Sequence, residues 1–85
     1  MTININRTSI DTCMWHIKRY MMQAYGCDVA DREFAPLEWY IETGRASTDF
    51  LRKLISAKPY MVARRLHKGG SDCEAIKRVA RYIGA

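Results

Sequence analysis

Ten cations fall between Arg45 and the C-terminus: Arg45, Arg52, Lys53, Lys58, Arg64, Arg65, Lys68, Lys77, Arg78 and Arg81. Only Asp49, Asp72 and Glu74 oppose them, so this part of the chain carries a net +7 while residues 1–44 carry −2. Guanidinium and ammonium groups gathered in one part of a chain, with Tyr60 and Met61 among them, have the chemistry of a polyanion-binding surface. Nucleic acid is the commonest partner of such a surface.

Other chemistries find less support. Cys13 and His16 could share one helical face, but no second pair at comparable spacing completes a tetrahedral metal site. His16 therefore reads as structural, and His67, beside Lys68 at a helix end, is explained by the helix dipole. No Ser/His/Asp or Cys/His constellation and no phosphate-cradling glycine loop occurs. Asp28, Asp31 and Glu33 make an acidic loop too short for an EF-hand. No cofactor and no metal are expected. With 85 residues the chain should form one domain that buries a single core without a deep cleft, so no enzyme is expected either. Cys13, Cys27 and Cys73 are an odd number without a CxxC pair and read as reduced thiols. No apolar run reaches the ~18 residues of a membrane span. A cytoplasmic protein that does not engage a membrane is expected.

The cations must be positioned by short helices. Thr8 reads as an N-cap, and Ile10, Met14, Ile17, Met21 and Ala24 then recur at helical spacing up to Gly26. Trp15, Met22 and Tyr25 widen that apolar surface, which a central core position or a homodimer contact would each explain. Residues 27–33 read as a polar connection, and a second helix is expected to begin at Pro36, with Phe34 and Trp39 as a hydrophobic staple and Gly44 as its stop. Ser47 caps a third helix carrying Phe50, Leu51, Leu54 and Ile55, and Lys58-Pro59 forces a boundary before a fourth over 59–67. On that fourth helix Pro59, Val62 and Leu66 point inward, Tyr60, Met61, Arg64, His67 and Lys68 outward, with Arg65 at the border. After Gly69-Gly70, Ser71 and Glu74 form a capping box for a last helix built on Ile76, Val79, Ala80 and Ile83, which leaves Lys77, Arg78 and Arg81 facing water. The alternation in Ile3-Asn4-Ile5 is the only strand-like piece. The fold class expected is all-α, a compact bundle of about five short helices containing a helix-turn-helix. A single domain spans 1–85, with an N-terminal arm and helix over 1–34 and a helix-turn-helix-like unit over 35–84.

Leu37 to Leu54, with its Gly44 break and Ser47-Thr48-Asp49-Phe50, is followed by Val62 to Gly70 with Leu66-His67-Lys68-Gly69, and then by Ala75 to Ile83. This order resembles the helix-turn-helix domain of phage repressor and Cro-type regulators, over a little more than half of the chain. In that family a Ser/Thr-capped helix precedes a recognition helix with a Leu-x-x-Gly exit, and a further amphipathic helix follows. The resemblance implies that Ser47 and Thr48 face a phosphate, that Tyr60, Met61 and Arg64 face base edges in the major groove, and that Lys53, Lys58, Arg65 and Lys68 contact phosphates. It also implies double-stranded DNA as partner, transcription regulation as role, a homodimer as working form and a phage or mobile element as origin. The alternative is a helical protein-interaction module, such as a phage-encoded inhibitor or adaptor, whose basic face docks on an acidic partner or nucleoprotein complex.

Overall fold

The computed structural model describes residues 6–68 and 71–85. Ile3-Asn4-Ile5 and Gly69-Gly70 therefore lie outside the described residues. Five α-helices make up the chain: α1 (Arg7–Tyr25), α2 (Cys27–Glu42), α3 (Thr48–Ser56), α4 (Pro59–His67) and α5 (Asp72–Ile83). The fold is all-α.

The N-cap of α1 is Asn6, two residues before the expected Thr8. Its Oδ1 accepts the Ser9 N–H at 2.8 Å and satisfies one of the donors that a helix start leaves open. Gly26 ends α1 by donating to the Met22 carbonyl at 3.1 Å, and its own carbonyl accepts from Ala30 N–H at 3.0 Å to start α2. Two helices are thus separated by one residue, at φ +91° and ψ 159°. That backbone region is open essentially to glycine alone.

The second helix begins at Cys27, nine residues before the expected start. Pro36 is inside the helix rather than at its first position, and residues 27–33 are helical instead of a loop. The apolar spacing accounts for this: Ala30, Phe34 and Leu37 are buried, with Ile41 half-buried behind them. That stripe of i, i+4, i+7 and i+11 offsets the hydrogen bond and the close approach that an internal proline costs, about 3 kcal/mol. Phe34 and Trp39 do not form a staple, since Phe34 is in the core while Trp39 is exposed.

The remaining caps follow the sequence. Ser47 Oγ accepts the Phe50 N–H at 3.1 Å and Ser71 Oγ accepts the Glu74 N–H at 3.4 Å. Pro59 occupies the first turn of α4, where its lack of an N–H costs nothing.

All five helices contribute to one core: Ile17 and Met21 from α1, Leu37 from α2, Leu54 from α3, Val62 and Leu66 from α4, and Val79 from α5 are essentially inaccessible. No polar or charged residue is buried among the described residues. The fourth helix packs against α1, α2 and α5. The third packs on α1 and α5, and its backbone makes no close approach to α4. The extended residues Ala57 and Lys58 between the two hold them apart.

Candidate nucleic-acid interface

Because α4 is held on three sides, what it offers to solvent is a narrow strip. Tyr60, Arg64 and Lys68 are exposed, four residues apart along one line, while Val62, Ala63 and Leu66 are in the core. Met61 is half-buried instead of outward, and so is His67. The borders of the strip are set by neighbours. On the α1 side Tyr60 lies 6.1 Å from Tyr20 between ring centroids, and His67 stacks on Tyr25 at 3.7 Å with the rings 16° apart. On the α5 side the Arg65 guanidinium sits 5.8 Å from the Tyr82 ring centroid. The Nε of Arg65 is buried and has no hydrogen-bond partner among the described residues, as is also true of His67 Nδ1.

The expected site residues separate into two groups. Lys58, Tyr60, Arg64, Arg65 and Lys68 are brought together on α4 and at its entry, with Met61 at their edge. Ser47 and Thr48 are exposed at the opposite end of α3, which at nine residues is roughly 13 Å long. They are not beside the α4 strip. Lys53 is turned to a structural use: its Nζ pairs with Asp49 Oδ2 at 3.2 Å and donates to the Gly84 carbonyl, so it ties α3 to the end of α5.

Arg78, expected to face water, is half-buried and donates from Nη1 to the Lys68 carbonyl at 2.9 Å. It thereby caps the C-terminal end of α4 and adds a cation beside Lys68. Arg52 and Arg81 are exposed on α3 and α5, and Arg52 and Tyr82 line the same hollow next to Ser56 and Ala57. Sequence reasoning did not assign Tyr20, Arg52, Arg81 or Tyr82 to this surface. A repeated basic and aromatic spacing on α5 (Arg78, Arg81, Tyr82) was visible, but nothing local says that α5 runs beside α4.

The electrostatics differ across the chain. Of the four cations before Arg45, three are in ion pairs: Arg7 with Asp11 at 3.1 Å, Lys18 with Asp31 at 3.6 Å and Arg32 with Glu33 at 3.2 Å. Arg19, the fourth, lies over Trp15. After Arg45, Lys53 pairs with Asp49 on its own helix. No acid occurs between Asp49 and Asp72, nor after Glu74. Arg52, Lys58, Arg64, Lys68 and Arg81 are therefore exposed cations whose field no carboxylate on α4 or on the C-terminal half of α5 offsets.

Metal chemistry has no geometric basis in the Cys13 and His16 pair. Cys13 is buried, with its thiol directed at the Leu54 carbonyl 3.5 Å away, whereas His16 is exposed with its ring edge-on to Trp15. Among the described residues no group of three or more His, Cys, Asp or Glu could hold a metal ion. No helix among them is long and apolar enough to cross a membrane. Comparison of the chain with protein-family models, with curated proteins and with solved structures returns no match.

Proposed function

We propose that this protein is a small sequence-specific DNA-binding regulator that meets the duplex with the outer strip of α4 and the cations beside it on α5. The observation that carries this reading is a contrast in charge: cations before Arg45 mostly sit beside carboxylates, whereas Arg52, Lys58, Arg64, Lys68 and Arg81 are exposed in a stretch with no acid between Asp49 and Asp72 or after Glu74. Such a surface releases counterions when it meets phosphates, which is the main source of affinity for duplex DNA. Tyr60 and Arg64 stand at the centre of the strip as the groups aimed at base edges, Arg64 being suited to guanine. Lys58, Arg65 and Lys68 surround them as phosphate contacts, joined by Arg52 and Arg81.

The test is selection from a random duplex pool at physiological salt. A motif should be enriched and bound on the order of a thousand-fold tighter than random sequence; a pool that enriches nothing contradicts the reading. On the selected site, Arg64→Ala should lose about 1–3 kcal/mol of discrimination at particular base pairs. Lys68→Ala should weaken all sequences alike and reduce the salt dependence.

A second reading has its own support. With α1 and α5 on either side of α4, the basic surface is broad instead of one projecting helix, a shape that also suits an acidic protein or a nucleoprotein complex. Under that reading the chain is an interaction module, and saturable binding to an acidic protein would fall by a similar factor with each cation removed, Arg64→Ala included, with no single residue essential.

A further inference from the structure

The outer side of α1 is a second exposed surface, where Arg19 lies over the Trp15 ring. Ile17 and Met21 face the core, and on the opposite side Trp15 is 56% exposed and Met22 41%. Trp15 stands between two hollows. One, of about 210 Å³, lies between α1 and α2 over Met14 and Phe34, with Asp11, Glu38 and Glu42 at its rim. The other, of about 360 Å³, runs beside Lys18, Arg19, Met22 and Gln23. An indole left on a ridge between two concavities has the form of a knob facing holes, and burying it removes a large aromatic surface from water.

We propose that this face pairs with a second copy of the same chain, the two α1 helices running antiparallel and crossing at Trp15. The order of charges selects both the partner and its direction. Asp11 precedes Trp15 and Lys18 follows it, and their seven-residue separation puts both on the flank toward α2. A parallel pair would set Lys18 and Arg19 against their own counterparts. An antiparallel pair with Trp15 meeting Trp15 and Thr8 meeting Met22 brings Asp11 of each copy to the level of Lys18 and Arg19 of the other, Lys18 being on the same flank, twice by the two-fold axis. The ion pairs that Asp11 and Lys18 make within one chain, with Arg7 and Asp31, involve solvated side chains and exchange at little cost.

Sedimentation equilibrium of the full chain from about 1 µM to about 1 mM tests this, the range spanning weak to moderate affinities. The proposal requires a concentration-dependent monomer–dimer equilibrium. Trp15→Ala should shift it to monomer without changing the helical circular dichroism signal. Asp11→Lys and Lys18→Asp should each weaken it at least ~10-fold, a change of about 1.4 kcal/mol, and the double variant Asp11→Lys/Lys18→Asp should restore it. A chain that stays monomeric throughout, a dimer indifferent to Trp15→Ala, or a double variant no better than either single one overturns the proposal. So does a foreign protein captured through Trp15 by a chain that remains monomeric. The inference does not rest on DNA binding: failure of the duplex selection would leave these outcomes untouched.

Discussion

Three cysteines have distinct surroundings. Cys27 and Cys73 are exposed, whereas Cys13 is in the core, where burial pushes its thiol up from 9.0 to about 11. Native protein should therefore lose two thiols to an alkylating reagent at neutral pH and the third only on unfolding; three equal labelling rates would show that Cys13 is not held in this core. The same shift has a stability consequence. A folded-state pKa raised above the unfolded one keeps its full contribution below about pH 9 and loses it as pH rises through about 11, because the unfolded chain ionises first. Chemical denaturation across that window should show stability falling as pH rises, and falling less in Cys13→Ala. At this scale the sequence was legible where the interaction is local: Ser47 and Ser71 cap as their spacing indicates. It was not legible where the partner is remote. Lys53, expected at a phosphate, instead donates to the Gly84 carbonyl 31 residues away.

The helices themselves were mostly readable from periodicity and punctuation, and the α3, α4 and α5 boundaries coincide with their caps and with Pro59. The exception is α2. Charged residues at 28, 31, 32 and 33 and a proline at 36 gave the appearance of a loop and a fresh start, yet Ala30, Phe34, Leu37 and Ile41 already carried the helical repeat through it. Tertiary burial outweighed a local breaker. This early start puts the junction between α1 and α2 on one glycine. A methyl group at Gly26 would meet nothing within 4 Å, so crowding does not explain the residue; its φ of +91° does. Gly26→Ala should lower stability by about 1–3 kcal/mol in a urea titration, with little change in helix content. An unaltered midpoint would mean that the junction adopts another geometry.

For the molecule as a whole, the all-α class and the number of helices follow from pattern, but the neighbour relations do not. Nothing in the sequence says that α4 lies between α1 and α5, or that the α3 backbone makes no close approach to it, because these relations are set by side chains far apart in the chain such as Tyr20 and Tyr60 or Arg65 and Tyr82. That arrangement reshapes the candidate surface. Ser47 and Thr48 are separated from it, Lys53 is engaged elsewhere, and a strip of Tyr60, Arg64 and Lys68 remains, supported by Arg65 and Arg78. The proposed dimer face on α1 carries Trp15 opposite its core stripe, so the pairing and polyanion surfaces use different residues. Amide chemical-shift mapping of the labelled protein with duplex DNA at physiological salt tests the central claim most directly. The account predicts shifts concentrated at Arg52, Lys58 to Lys68 and Lys77 to Tyr82, with Trp15 and Glu38 unmoved by the duplex itself. Shifts centred on the outer faces of α1 and α2, or none at all, would contradict it.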